Sequence, residues 1–248
     1  TDVTTKGFGT EQIETELLAI FEDKVIKRMD LDTTRGKYAY EKIISAFENR
    51  EIDILVGTQM LTKGLDFRHV KLVGVMNADS LLNFPDFRAH ERSFQLLVQV
   101  AGRAGRTDEQ GQVLIQTYNP YHRILQQVTT NSYDEMFKEQ LDERRHFKYP
   151  PLFRMIKITF KSRDLNKMNE ASDWLALYYR QIFTTNVLGP EFPAISRIRN
   201  QYHKNILIKI PQEQSLAKTK AYVKAGVDKF KSIAQFRAIK VVVNVDPY

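Results

Sequence analysis

The residues with the clearest chemistry are the two arginines of the segment 99–106, which reads Gln-Val-Ala-Gly-Arg-Ala-Gly-Arg. Arg103 and Arg106 are three positions apart, so they lie on the same side of a helical turn. The planar guanidinium group binds phosphate oxygens in a bidentate manner and does not lose its charge. Offered across an interface, such a pair can stabilise the charge that develops on a transferred γ-phosphoryl group. The spacing therefore predicts a phosphate site, with a helix end carrying ordinary surface arginines as the alternative.

A second candidate site follows the apolar stretch 52–56, where the sequence Gly-Thr-Gln-Met-Leu-Thr-Lys-Gly-Leu-Asp-Phe begins at Gly57. A turn at the carboxyl end of a parallel strand is where open α/β sheets bind ligands. Thr58 and Gln59 offer a hydroxyl and an amide to a nucleic-acid backbone. Asp66 can meet a ribose or an arginine of the first motif. A strand followed by Gly-Thr is often only a connection, but the Lys-Gly-x-Asp that follows makes this motif more specific.

A third candidate site is a basic stretch between two predicted strands, which reads Ser-Arg-Ile-Arg-Asn-Gln-Tyr-His-Lys over residues 196–204. The ring of Tyr202 can stack on a base, and the neighbouring cations can contact phosphates. These cations are Arg197, Arg199 and Lys204. An exposed basic hairpin without a ligand is the alternative interpretation.

The elements that must position the first two motifs alternate between helix and strand. Apolar periodicity predicts helices near 10–18, 37–47 and 88–100, and strands at 25–29, 52–56, 70–76 and 112–117. Strands separated by helices of this length indicate a parallel α/β sheet, which we assign to residues 1–120.

The rest of the chain has a different rhythm. Residues 121–150 predict two helices, at 121–130 and 132–146, which form a helical connector ending at Pro150 and Pro151. Beyond it, strands are predicted at 155–160, 195–199, 205–210 and 240–245, and helices at 165–183 and 215–233. The order β-α-β-β-α-β is the ferredoxin-like pattern of an antiparallel sheet with helices on one face. We therefore expect a smaller α+β domain over residues 151–248.

Charge and composition restrict the classes of function. Residues 151–248 carry 17 Lys and Arg against 7 Asp and Glu, whereas residues 1–120 carry 15 against 18. A basic module of this kind favours contact with a phosphate backbone, although a solvated lysine-rich surface has the same composition. The chain has no cysteine, which excludes disulfides and thiolate metal sites, and we predict no metal site in it. No apolar run reaches the roughly 18–20 residues that a membrane span needs.

The second motif and the arginine motif, at this separation, resemble motifs V and VI of superfamily-2 helicases. Their surroundings resemble the C-terminal part of the PriA family of bacterial primosomal replication-restart helicases. The stretches that carry this resemblance lie at 9–11, 30–32, 79–97, 116–122, 149–155 and 245–248. The resemblance spans essentially the whole chain. It implies a second RecA-like helicase lobe over residues 1–120 and a C-terminal domain similar in fold to ribosomal protein S10.

The resemblance also implies roles for the motif residues. Arg103 and Arg106 would face the γ-phosphate of ATP, with Arg106 as the arginine finger, and Gln99 would couple the nucleotide state to the lobe interface. Gly64 and Asp66 would line the ATP cleft. Thr58, with Gln59 beside it, would contact the DNA strand along which the motor moves.

The chain departs from the family pattern in two ways. It has no Gly-x-x-x-x-Gly-Lys-[Ser/Thr] loop and no Asp-Glu-x-His box, so ATP and Mg²⁺ would bind only together with a first lobe. It also lacks the paired Cys-x-x-Cys sites that would hold zinc in the full-length protein. Because the chain opens on Thr1 rather than Met, we expect it to be a piece of a longer protein. Because the phosphate-binding loop and the Asp-Glu-x-His box are absent from it, we expect it to be inactive in isolation.

The leading hypothesis is therefore part of an ATP-dependent 3′-to-5′ DNA helicase that acts at stalled replication forks. The partners that the resemblance implies are branched or forked DNA, the single-stranded-DNA-binding protein and other primosome proteins. We expect a monomer in the cytoplasm, away from any membrane. One alternative is a nucleic-acid-binding module without motor activity. Another is a different superfamily-2 helicase, such as a branch-migration enzyme, but the sequence from Tyr149 onward argues against it.

Overall fold

The protein is described from a computed structural model, which covers residues 9–36, 38–58, 61, 69–102, 104 and 111–247. The chain divides into two units. The first unit comprises Thr1–Phe84 and Arg88–Tyr133, and the second comprises Pro85–Phe87 and Asp134–Tyr248. The stretch 121–150, which the sequence suggested as a separate connector, thus contributes residues to both units.

The first unit is a parallel α/β structure, as the alternation of helices and strands predicted. Its elements are α1 (Thr10–Ile20), β1 (Ile26–Met29), α2 (Ala39–Glu48), β2 (Ile54–Gly57), β3 (Leu72–Val75), α3 (Asp79–Leu82), α4 (Ala89–Ala101), β4 (Gln112–Ile115) and α5 (Arg123–Thr129). Within the described residues, β1 pairs with β2 and β3 pairs with β4, and both pairs are parallel. The carboxyl ends of the two strands in each pair therefore lie side by side.

Close packing at the end of β2 requires a glycine. Met29 of β1 is fully buried and packs against the apolar face of α2, which includes Ile43 and Phe47. Gly57 lies opposite Met29 in the strand register. A Cβ atom at position 57 would come within 2.7 Å of the Met29 carbonyl oxygen, so a larger residue would push the two strands apart.

A buried carboxylate fixes the carboxyl end of β1. The Thr10 hydroxyl donates to one oxygen of Asp30 at 2.7 Å, and the backbone N–H groups of Asp32 and Thr33 donate to the other at 3.0 Å. The hydrogen bond from Thr10 is the main cause that lowers the pKa of Asp30, followed by the backbone bond from Thr33; burial opposes them. Asp30 thereby joins the start of α1 to the turn that follows β1.

The helix that leads into the arginine motif is amphipathic. The buried side of α4 carries Phe94, Leu97 and Val100, which follow helical spacing. Its hydrogen bonding ends in an ordinary way, because the N–H of Gly102 donates to the carbonyl of Val98 at 3.0 Å. The motif over residues 99–106 therefore begins on the last turn of α4.

The second unit has the ferredoxin-like topology that the order of elements predicted. Its elements are α6 (Tyr133–His146), β5 (Phe153–Ser162), α7 (Leu165–Phe183), β6 (Val187–Glu191), β7 (Arg197–Ile198), β8 (Gln201–Pro211), α8 (Leu216–Ser232) and β9 (Lys240–Val245). The sheet order is β6-β8-β5-β9, and all neighbouring strands are antiparallel. The short β7 adds a hairpin to β8.

The second strand of this domain differs from the sequence prediction. It was expected at 195–199, but β6 spans Val187–Glu191, and the expected segment contributes only the two residues of β7. Gly189 and Pro190 interrupt the apolar alternation of this strand. An edge strand tolerates proline, because one side of it needs no ladder hydrogen bonds. Gly189 adopts a φ of +86°, and a Cβ there would lie 2.6 Å from the carbonyl oxygen of Asn205.

The core of the second unit lies between one face of the sheet and two helices. Alternate residues of the central strands face α7 and α8 and are fully buried: Ile156, Ile158 and Phe160 from β5, and Ile206, Ile208 and Ile210 from β8. The two helices cross closely where Tyr179 donates a hydrogen bond to the carbonyl of Val223 at 2.8 Å. Of the helices that the structure describes, none has both the length and the apolar character for crossing a membrane.

The contact between α7 and α8 predicts that Gly226→Ala destabilises the second unit. A Cβ at position 226 would lie 2.6 Å from the ring of the buried Tyr179, whose hydroxyl is held by Val223. Such overpacking typically costs about 1–3 kcal/mol. This exceeds the gain of up to about 1 kcal/mol in helix propensity. We expect a net loss of up to about 2 kcal/mol in chemical denaturation followed by the fluorescence of Trp174, the only tryptophan of the chain.

The matched control is Ala225→Gly at the exposed neighbouring position. This change should cost only the propensity difference of about 1 kcal/mol. A Gly226→Ala chain that is as stable as the parent, or more stable, would contradict the close helix contact.

The Asp30 carboxylate predicts an acid-sensitive step in the first unit. A depressed pKa means that the folded state gains stability above the ordinary value of 3.8 and loses it as the pH falls through the folded pKa. Thr10→Val removes the main hydrogen bond, so it should raise the pKa of Asp30 toward its ordinary value. An NMR titration of the Asp30 carboxyl in both chains measures this shift, and Thr15→Val on the exposed side of α1 is the control. An unchanged pKa of Asp30 in Thr10→Val would show that the hydrogen bond from Thr10 does not lower it.

Candidate functional site

The structure describes two of the site residues predicted in the first unit, Thr58 and Gln99. The others lie outside the described residues: Gln59, Gly64, Asp66, Arg103 and Arg106. Their assigned roles stay predictions from the sequence.

Thr58 lies where the sequence motif placed it, directly after the last residue of β2. The residue is exposed, and its carbonyl oxygen accepts a hydrogen bond from the N–H of Leu61 at 3.0 Å. It therefore presents a polar group at the carboxyl edge of the β1–β2 pair. That edge is where ligands bind in open parallel sheets.

Gln99 lies on the last turn of α4 and is exposed, whereas its neighbours Leu97 and Val100 on the same helix are buried. The N–H of Ala104 donates to the carbonyl of Ala101 at 3.2 Å, so the chain turns immediately after the helix. The amphipathic pattern of α4 thus orients Gln99 away from the core. The helix buries its apolar side and leaves the first residue of the arginine motif accessible.

Asp79 braces the carboxyl edge of the other strand pair. Its two carboxylate oxygens accept from the hydroxyl of Thr117 and from the N–H of Tyr118, both at 3.0 Å. The side chain of Gln116 accepts from the N–H of Asn77 at 3.2 Å. The loops after β3 and β4 are therefore linked to each other. In the sequence analysis the segments 79–97 and 116–122 carried the family resemblance but had no physical role. A polar residue after each of these two strands could have indicated the link between the loops.

The basic hairpin of the second unit brings three of its four predicted residues together. Arg199 and Asn200 form the turn, with φ values of 48° and 61°, the positive angles that two-residue hairpin turns use. Arg197 donates to the side chain of Asn200 and lies 5.0 Å above the ring of Tyr202. Tyr202 also packs partly against the core. One face of this ring is therefore already covered by Arg197.

Lys204 was expected to lie exposed on this hairpin, and that expectation is wrong. The residue is only 8% exposed, its ammonium group donates to the side chain of Asn169 at 2.9 Å, and it lies 5.3 Å from the ring of Phe192. Strand β8 begins at Gln201, so Lys204 belongs to the strand and shares the helix-facing side with Ile206. Its charge is held inside the fold and is not available to DNA.

A group of lysines that the sequence interpretation missed lies on the other face of the sheet. Lys157 and Lys161 alternate with the buried core residues of β5, and Lys240 lies opposite Lys161 on β9. The other cross-strand neighbour of Lys161 is His203, whose pKa is lowered by burial first and by the charge of Lys161 second. The alternation of lysines with apolar residues along β5 could have indicated this group. The sequence analysis considered the charge of whole segments and did not assign charges to one face of a strand.

Comparison with known proteins agrees with the division into two parts. Residues 7–108 match the family model of the helicase conserved C-terminal domain. Residues 145–248 match the family model of the primosomal protein N C-terminal domain.

Individual relatives align along nearly the whole chain. The replication restart protein PriA of Bacillus subtilis is 38% identical over 244 residues, which is 98% of this chain and 30% of the relative. Its counterpart from Synechocystis is 42% identical over 207 residues, 83% of this chain and 25% of the relative. That from Haemophilus influenzae is 36% identical over 252 residues, 100% of this chain and 33% of the relative.

The chain thus spans about a quarter to a third of the length of these curated relatives. The two family models cover different parts of the chain, and each match lies mostly within one unit. The chain belongs to the family of the replication restart protein PriA.

Proposed function

We propose that this chain supplies the second motor lobe and the C-terminal domain of an ATP-dependent 3′-to-5′ DNA helicase that restarts replication at stalled forks. The observation that carries the proposal is the helicase-type lobe in which α4 leads directly into the motif 99–106. The names of the relatives, all replication restart proteins, support the biological role.

The described residues are compatible with a nucleotide site shared with another lobe. Thr58 and Gln99 are exposed polar residues, one after a parallel strand and one on the last turn of α4. Gly64 and Asp66 follow Thr58 closely in sequence and are proposed to line the cleft. The groups that cradle phosphates and bind Mg²⁺ would come from the first lobe, since this chain has no phosphate-binding loop.

In this proposal ATP with Mg²⁺, when bound, supplies the phosphoryl chemistry, and this chain supplies positive charge and orientation. The guanidinium groups of Arg103 and Arg106 hold the negative charge on the terminal phosphate oxygens, with Arg106 as the arginine finger. The buried side of α4 anchors the helix that carries Gln99. Gln99 couples the nucleotide state to the lobe interface. Any zinc would be held by ligands outside this chain, because the chain contains no cysteine.

The DNA strand along which the motor moves is proposed to contact the Thr58 hydroxyl and the Gln59 amide. In the second unit, Arg197 and Arg199 remain candidates for phosphate contact, since both are exposed. Proposed partners are forked DNA, the single-stranded-DNA-binding protein and other primosome proteins. The proposed state is a monomer in the cytoplasm.

A second candidate function is a nucleic-acid-binding module without motor activity. Residues 151–248 carry 17 Lys and Arg against 7 Asp and Glu, and this positive charge favours a nucleic-acid-binding module. This function needs the second unit alone and gives the arginine motif no role. ATP turnover therefore separates the two candidates.

We predict that Arg106→Ala in the full-length protein lowers DNA-stimulated ATP turnover by about 10³-fold or more, because an arginine finger contributes this much in related phosphoryl transfer. Equilibrium DNA binding should be unchanged. The 248-residue chain alone should show no turnover.

The matched control is Arg35→Ala, which removes an exposed arginine that pairs with Asp32 at 2.8 Å. It should retain full turnover. If Arg106→Ala turns over ATP as fast as the parent, Arg106 has no catalytic role and the binding module becomes the better account.

A further inference from the structure

The two faces of strand β5 have opposite chemistry. On β5, Ile156, Ile158 and Phe160 face the helices and are fully buried. The residues between them are partly exposed on the opposite face and are polar: Lys157, Thr159 and Lys161. We call this second surface the open face. By strand register it continues through His203, Asn205 and Leu207 on β8, and through Lys240, Val242 and Asn244 on β9.

Positive charges lie directly beside one another on the open face. Lys161 is the register partner of both His203 on β8 and Lys240 on β9. Like charges in directly opposite positions destabilise a sheet. In the part of the chain that the structure describes, Lys157, Lys161 and Lys240 make no ion pair. Folding alone gives no reason for this arrangement, whereas a polyanionic partner would neutralise it.

None of the described register partners of Lys157, Lys161 and Lys240 is acidic. Glu191 is at the end of the edge strand β6, opposite Asn205. Asp246 follows β9, and its carboxylate is used by the backbone N–H of Met155 at 3.2 Å. Neither acid is a register partner of the three lysines. The positive potential of the face is therefore not cancelled from within the sheet.

One end of the open face is closed by the chain itself. Lys209 is buried there, donates to the carbonyl of Phe147 and lies 3.7 Å from the centre of the Tyr149 ring. Its ammonium group is consequently unavailable to a ligand. The accessible part of the face begins at Lys157 and extends to Lys161 along β5. The four residue steps from Lys157 to Lys161 span about 13 Å along the strand, and three adjacent strands span about 10 Å across the sheet.

The residues of the accessible part indicate the kind of nucleic acid that fits. RNA-recognition domains with a four-stranded sheet use aromatic rings on this face to stack unpaired bases. On the open face between Lys157 and Lys161, and at their described register partners on β8 and β9, there is no Phe, Tyr or Trp, and the imidazole of His203 is the one ring present. Lysine ammonium groups are suited to phosphate oxygens, whereas the Thr159 hydroxyl already donates to the side chain of Asn205 at 2.9 Å. Such contacts do not require an unstacked base.

We propose that the open face binds the sugar-phosphate backbone of duplex DNA, with Lys157, Lys161 and Lys240 as its phosphate contacts. The proposal deepens the proposed function, because it assigns a surface of the C-terminal domain to the duplex arms of a fork. Binding through phosphates is independent of sequence and strongly dependent on salt.

The test compares two triple variants of the 248-residue chain with the same change in net charge. The first is Lys157→Gln, Lys161→Gln and Lys240→Gln on the open face. The control is Lys218→Gln, Lys220→Gln and Lys224→Gln on the exposed side of α8. Fluorescence anisotropy with a short labelled duplex and the matching single strand, between about 50 and 200 mM salt, gives the affinity and its salt dependence.

We expect the open-face variant to bind duplex at least about 10-fold more weakly at the lower salt. The slope of log K against log salt should become shallower by about 0.9 for each lost contact, so by about 2–3 in all. The control should keep most of the affinity and slope. Thermal melts should find the open-face variant no less stable than the parent, since its substitutions relieve repulsion between Lys161 and Lys240.

Three results would overturn the proposal. They are an unchanged affinity in the open-face variant, an equal loss in both variants, and no duplex binding by the parent chain at low salt. Tighter binding to the single strand than to the duplex would overturn the assignment of duplex arms. The measurement contains no ATP, so its failure is distinguishable from failure of the motor function, which is read from the turnover of Arg106→Ala.

Discussion

The two-sided pairing of β5 is the constraint on which the second unit depends. From Ile156 to Lys161 this strand is paired with β8 on one side and with β9 on the other. A slip by one residue would exchange the two faces of the strand, moving Lys157 into the core and Ile158 into solvent. Pairing on both sides therefore fixes the apolar core and the basic open face together. The same alternation on β8 explains why Lys204 is turned inward while His203 is not.

In the first unit, carboxylates near the ends of strands have the equivalent role. Asp30 accepts hydrogen bonds from α1 and from the turn after β1, and Asp79 accepts from two residues of the loop after β4. Asp30 is satisfied by donors from two separate segments, and Asp79 by two adjacent residues of one loop, so both carboxylates have hydrogen-bond partners. The edge at which Thr58 lies is thus built by local bonds and by the glycine contact at Gly57. Such bracing gives the first unit a defined surface at the carboxyl ends of its strands.

Sequence periodicity was sufficient for most of the fold, because helices and strands with one buried face repeat their apolar residues regularly. The helix α7 has the predicted bounds, and so does the strand β9. Strand β6 was missed because Gly189 and Pro190 hide an edge strand that needs fewer hydrogen bonds. The placement of Lys204 failed because only pairing with a neighbour reveals where β8 begins. For Arg103 and Arg106 the motif and the family are the basis, and their roles remain predictions.

The most direct test of DNA binding by the open face is lysine footprinting of the 248-residue chain by acetylation and mass spectrometry, with and without duplex DNA. Reactivity reports the exposure of each amine in the unaltered protein, so no substitution is needed. The account predicts that DNA protects Lys157, Lys161 and Lys240, while Lys218, Lys220 and Lys224 of α8 react as before. Protection of the α8 lysines with an unchanged open face would contradict it.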